Sequence, residues 1–117
     1  MTPHVEQFGD LRLVECDGRI VRSDAAFALR DSVIGQSDAR TIILDLSDVV
    51  AIEGGGWGML MFLRQWAEAQ NIELKVFNPR NSVRTRLERS PLGPFEIISS
   101  QELLELLGRE GHVRLVA

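Results

Sequence analysis

The sequence predicts one α/β domain, a mixed β-sheet of about four to five strands with four helices, and three observations carry that expectation. Thr41 to Leu46, Thr-Ile-Ile-Leu-Asp-Leu, is short, β-branched and mostly apolar, as a central strand covered on both faces would be. Helix-patterned segments alternate with strand-like runs along the chain, which points to β-α-β units with right-handed crossovers. The 117 residues are 44% hydrophobic and 26% charged, enough for one core, and no linker or repeat divides residues 1–117.

The elements follow in order. Leu11, Leu13 and Glu15-Cys16 form a first strand, and Asp17-Gly18 is a hairpin signal before Ile20-Val21. Ser23-Asp24 caps a helix with apolar positions at Ala26, Phe27, Leu29, Val33 and Ile34, and Gly35 is its stop. The central strand ends in a polar break and three glycines, and a helix then runs from Gly58 to Gln70 and stops near Asn71. On a helical wheel Met59, Phe62, Leu63 and Trp66 share the packed side, with Leu60 and Ala67 flanking. Trp57, Met61, Arg64 and Glu68 fall opposite, where Arg64 and Glu68 make an i,i+4 pair. Glu73 to Phe77 is a strand, and Asn78-Pro79 opens a helix reaching about Arg89. Pro91 and Pro94 enclose a turn before the short strand Phe95 to Ile98. Ser99 and Glu102 make a capping box for a helix from Gln101 to Leu107, ended by Gly108. In the tail 108–117, His112 to Val116 is expected to add an edge strand or to lie loose.

Composition excludes several functions. No apolar run approaches the ~20 residues of a membrane span, and the N-terminus Met-Thr-Pro-His-Val-Glu-Gln has no signal-peptide character, so a cytoplasmic protein is expected. Cys16 is the one cysteine, which rules out an internal disulfide and suggests a small buried thiol. His4 and His112 have no second His or Cys at ligand spacing, so no metal is expected. The net charge of −4 argues against nucleic acid, although Arg80, Arg84, Arg86 and Arg89 form a local basic stretch without interleaved aromatics. That stretch reads first as a solvated helix face, then as a protein-docking patch.

The most informative segment is Ile42 to Gly58. A buried strand runs into Glu53-Gly54-Gly55-Gly56-Trp57-Gly58, the junction of a strand with a helix N-terminus, where backbone N–H groups favour an anion or a partner's carboxylate. A phosphate loop would need Gly-Lys-Ser/Thr, and here Gly58 is followed by Met59 and Leu60. A dinucleotide fingerprint fails at Met59, where its third glycine should stand. Asp45, Asp48 and Glu53 cluster around the loop with no nucleophile, Lys or His beside them. Turn capping by Asp48 and an interface role for Glu53 fit better than acid/base catalysis. No catalytic residue and no cofactor is expected.

The strand Ile42-Ile43-Leu44-Asp45-Leu46-Ser47, then Val49, Ile52 and the Gly56 turn, the helix with Leu60, Leu63 and Ala67, and Leu74-Lys75-Val76-Phe77-Asn78-Pro79 with Val83 and Leu87 resemble a STAS domain from about residue 11 to 107. The family includes anti-sigma factor antagonists and the cytoplasmic tails of sulfate transporters. The resemblance implies a non-catalytic docking module of bacterial partner switching that binds an anti-sigma factor with serine kinase activity through the loop and following helix. The kinase normally phosphorylates a Ser or Thr at that helix start. Aligned on Gly56, this chain has Glu53, Gly54 and Gly55 there, so Gly54 replaces the acceptor and no phosphorylation is expected at it. The partner-binding candidates are Glu53, Gly54, Gly55, Gly56, Trp57, Met61 and Arg64. Trp57 stands where the family usually has Leu, either as an exposed anchor or folded into the core. Two alternatives remain, the STAS subunit of a lipid-transporting ABC system packed on a transporter ATPase, and a domain that binds a phosphorylated ligand or nucleotide. A homodimer is left open.

Overall fold

The computed structural model describes residues 3–20, 24–90 and 93–110. A five-stranded sheet has the order β1-β2-β3-β4-β5, the same as the order along the chain. The strands are β1 (His4–Phe8), β2 (Leu11–Ile20), β3 (Thr41–Ile52), β4 (Glu73–Phe77) and β5 (Glu96–Ile98), and the helices are α1 (Asp24–Ile34), α2 (Gly55–Ala69), α3 (Asn81–Glu88) and α4 (Ser100–Arg109). β1 is antiparallel to β2, and every other pairing is parallel.

A parallel sheet laid down in chain order, with right-handed crossovers, puts its connecting helices on one face. The larger core lies there. Leu29 and Val33 of α1, Leu60, Leu63 and Ala67 of α2, and Val83 and Leu87 of α3 pack with Val14, Ile42, Leu44 and Val76 of the sheet. α4 follows the last strand and has no crossover to make. Its Leu107 joins Leu11, Ile43 and Ile98 in a smaller cluster. Arg12 is the one buried charged residue among those described. Its guanidinium donates to the Gly9 carbonyl at 2.6 Å, to Gln36 Oε1 at 3.1 Å and to Asp38 Oδ2 at 3.0 Å, so it ties the β1–β2 turn to the α1–β3 connection.

Five elements depart from the sequence expectation. The hairpin falls at Gly9-Asp10, with Gly9 at φ 59°, and β1 is an additional strand. Asp17-Gly18 instead makes an irregularity inside β2: Gly18 has φ 66°, and the register with β3 shifts around it. A bulge and a hairpin turn ask for the same left-handed backbone, so the dipeptide cannot tell them apart. β3 does not stop at Leu46 but continues through the polar pair Ser47-Asp48 to Ile52. Asp48 is therefore a strand residue, paired with Asp17, and not a turn cap. α2 begins at Gly55, three residues earlier than predicted, and it buries Gly56, Leu60, Leu63 and Ala67. Phe62, assigned above to the packed side, is 46% exposed because the packed side is the stripe Gly56, Leu60, Leu63 and Ala67, fixed by the close approach of Gly56 to Ile20, and Phe62 lies well off it. Asn78 has φ 52° and cannot open a helix, so Pro79 lies in a connection and α3 starts at Asn81 after Arg80.

Other expectations hold. β4 has the predicted bounds. In the Ser99 and Glu102 capping box, the Glu102 amide donates to Ser99 Oγ at 3.1 Å and the Ser99 amide to Glu102 Oε1 at 3.2 Å, although α4 runs through Gly108 to Arg109. Cys16 is buried, and desolvation with the nearby Asp45 carboxylate pushes its thiol up to about 12, so it stays protonated at neutral pH. The Ser23 cap, Pro91 and the segment His112 to Val116 lie outside the described residues.

Candidate functional site

The loop sits at the end of a two-stranded extension of the sheet. β4 pairs with β3 only as far as Asp45, whereas β2 accompanies β3 to Ile52, so the chain carries residues 53–56 beyond the carboxyl ends of the central strands. In open α/β sheets this is the end at which ligands and partners meet the fold. The Glu53 amide donates to the Ile20 carbonyl at 3.0 Å, and the Glu53 carboxylate pairs with Arg19, fixing the loop to the end of β2.

The three glycines have different roles. Gly54 is the N-cap of α2 at φ 50° and ψ −117°, a conformation that side chains rarely adopt. Gly56 faces the backbone of β2: a Cβ there would lie 2.2 Å from the Ile20 carbonyl oxygen and 2.9 Å from its carbon. Only hydrogen fits between α2 and β2. Gly55 is the first residue of the helix and is partly exposed. The first turn closes with the Gly56 amide donating to the Glu53 carbonyl at 2.9 Å and the Trp57 amide to that of Gly54 at 3.1 Å. Gly58 is exposed with open space where a Cβ would stand. Gly58→Ala should therefore raise stability by about 0.5–1 kcal/mol, measured as the shift in a urea midpoint at unchanged slope. A decrease would show that the open space is not free for a methyl group.

Trp57 is both anchored and partly exposed. Its indole N–H donates to the Ile52 carbonyl at 2.7 Å, its ring packs against the larger core, and Arg86 from α3 lies over it at 4.4 Å from the centroid. Met61 is half-buried, and the Ser90 hydroxyl donates to its sulfur at 3.3 Å. Arg64 does not pair with Glu68. Its guanidinium donates to the Gly93 carbonyl and covers the Phe95 ring at 5.1 Å, holding the α3–β5 connection against α2. The structure thus brings Glu53, Gly54, Gly55, Gly56, Trp57 and Met61 onto one end of the molecule and commits Arg64 to contacts within the chain. Sequence reasoning separated Arg86 from this face, because nothing in its spacing reports that α3 lies beside Trp57.

Elsewhere, Ser47 donates to Asp45 Oδ1 through its amide at 2.9 Å and its hydroxyl at 2.5 Å, and Asn78 Nδ2 donates to Ser47 Oγ at 3.1 Å. These contacts account for Asp45 without acid/base chemistry. Sequence spacing offers His4 no ligand partner, yet the β1–β2 register sets it opposite Glu15. One ligand atom each from His4, Glu6 and Glu15 then lies within 4.8 Å of the others. Partial desolvation and the adjoining Glu6 carboxyl raise Glu15 above the ordinary carboxylate value. Among the described residues no helix is long and apolar enough to cross a membrane.

A family model described as the STAS domain matches residues 2–103. The match begins nearer the N-terminus than the motifs suggest, because β1 belongs to the fold. The structure is similar to that of the anti-sigma factor antagonist SpoIIAA in its unphosphorylated form, with a TM-score of 0.70 and 18% identity over 96% of this chain and 100% of that one. It is similar also to SpoIIAA of Bacillus in the phosphorylated form, with a TM-score of 0.71 and 19% identity over 91% of this chain and 99% of that one. A Shewanella loihica protein with a SpoIIAA-like fold gives a TM-score of 0.60 at 8% identity, over 91% of this chain and 92% of that one. At such identities the likeness concerns the fold. No match is found among curated proteins.

Proposed function

The chain belongs to the STAS domain family, and from that premise we propose that it is a non-catalytic docking module of bacterial signalling, similar to an anti-sigma factor antagonist. It binds an anti-sigma factor kinase through Glu53 to Trp57 and the first turns of α2, and phosphorylation at Gly54 does not switch it. The observation that supports this most is the conformation of Gly54. In the family's pattern this position carries the acceptor hydroxyl, whose phosphate adds roughly −1.5 to −2 charges at the docking surface. Here the backbone at φ 50° and ψ −117° itself selects glycine, so position 54 carries neither charge nor hydroxyl. The module is then constitutively competent to dock, and its regulation lies elsewhere.

The experiment is affinity capture from the native host's lysate with wild type beside Gly58→Glu. Gly58 tolerates a side chain sterically, so this variant adds negative charge to the docking face without the backbone strain of a substitution at Gly54. Retention of an anti-sigma factor kinase by wild type and its loss from the variant is the expected result. A transporter ATPase as the prey would replace this function with that of a transporter subunit, and equal capture by both proteins would remove the loop and α2 as the interface.

A further inference from the structure

Between the first half of α2 and the second half of α3 runs an open groove of about 430 Å³. Trp57 and Met61 supply its apolar wall, Gly58 leaves part of that wall bare, and Arg86 of α3 and Arg89 at its C-terminal cap face them. The charge of this wall runs against that of the protein. The chain carries a net charge of −4, yet residues 80–89 hold four arginines and one acidic residue, Glu88. Glu88 pairs with Arg84 at 3.9 Å, and among the described residues Arg80, Arg86 and Arg89 have no carboxylate partner. Stacking on Trp57 holds the Arg86 guanidinium in one orientation before anything binds, which lowers the ordering cost of a carboxylate contact. Gly58 contributes the remaining feature. A glycine inside a helix costs about 1 kcal/mol relative to alanine, and here it opens the surface of α2 to close approach by another main chain.

We propose that this groove seats an acidic segment of a protein partner, with a large apolar side chain against Trp57 and Met61 and carboxylates on Arg86 and Arg89. Charge complementarity selects the occupant. The groove sets two guanidinium groups without a carboxylate partner among the described residues, Arg86 and Arg89, opposite an apolar wall, and that pairing of charge with apolar surface asks for an amphipathic chain, not a small anion. The proposal deepens the docking function above and rests on it for the partner's biological role, whereas the recognition chemistry rests on the groove alone.

The test is selection of random peptides displayed on phage against the full chain at moderate salt, followed by affinity measurement on the enriched peptides. The expected outcome is a consensus with an aromatic or branched apolar residue flanked by Asp or Glu. Its members should bind Arg86→Glu/Arg89→Glu at least about tenfold more weakly, at a melting temperature close to wild type. A consensus without acidic residues, no consensus, or undiminished binding by the double variant would overturn the proposal. So would a groove that binds sodium decanoate or inorganic phosphate, followed through the Trp57 indole resonance, while no peptide is selected. The two levels separate cleanly. An anti-sigma factor captured by Arg86→Glu/Arg89→Glu but not by Gly58→Glu removes the acidic-segment groove and keeps the docking module. Acidic peptides bound as expected, with no such factor captured, do the reverse.

Discussion

Gly56→Ala should destabilise the fold by about 3 kcal/mol or more, and equilibrium urea unfolding measures it. The added methyl would sit 2.2 Å from the Ile20 carbonyl oxygen, and no rotamer change relieves a contact between a Cβ and a main chain. Relief requires α2 to move away from β2. That would pull Leu60 and Leu63, both fully buried, out of the larger core and shift the loop at Glu53, whose amide bonds to the same Ile20 carbonyl. The variant should lose stability and loop geometry together. Gly58→Ala, two residues on, is the internal control because its expected change has the opposite sign. A loss of less than about 1 kcal/mol at Gly56 would mean that the helix start slides without cost, and the loop would not be a fixed docking surface.

Trp57→Ala should cost about 3 kcal/mol in the same assay and also remove partner capture. The side chain supplies packing against the core, a hydrogen bond that satisfies the Ile52 carbonyl, and the ring on which Arg86 rests. Trp57→Phe separates these. It keeps part of the packing and a ring face, and it loses the indole N–H with one ring of the bicycle, so its cost should be about 1–2 kcal/mol with capture largely retained. Were Trp57→Ala to leave stability unchanged while abolishing capture, the residue would be a pure interface anchor. A destabilised Trp57→Ala that still captures partner at a temperature where it remains folded would make it a core residue that happens to surface. The geometry supports both roles at once, because one end of the indole is bonded inside the fold and one ring face is covered by the Arg86 guanidinium.

Much of the fold was legible because it depends on local pattern. The buried run Thr41 to Leu46, the bounds of β4 and the capping box of α4 follow from residue type at fixed spacing. The errors occur where one local signal serves two geometries. Asp17-Gly18 announced a left-handed residue, and the fold used it inside a strand, not between two strands. Ser47-Asp48 announced a break, and pairing of Asp48 with Asp17 of β2 carried the strand through it, beyond the point where β4 ends, with Asp48 exposed and the Ser47 hydroxyl bonded to Asp45. Phe62 was placed on the wrong side since the tertiary contact of Gly56 with Ile20 puts Gly56, Leu60, Leu63 and Ala67, and not Phe62, on the packed face.

By itself the sequence determined the α/β class, the order of the helices, the family, and the absence of an acceptor hydroxyl at Gly54, because each is a property of which residues stand where along the chain. Tertiary structure decided what those residues are for. It showed that Gly56 is obligatory while Gly58 is open, that Arg64 is spent on the α3–β5 connection, and that Arg86 and Arg89 stand opposite Trp57 and Met61. The physical reason is range. Backbone conformation and burial pattern are set by neighbours within a few residues, whereas the clearance beside a glycine and the partner of a guanidinium depend on segments separated by tens of residues, and only the crossovers of the sheet bring those together.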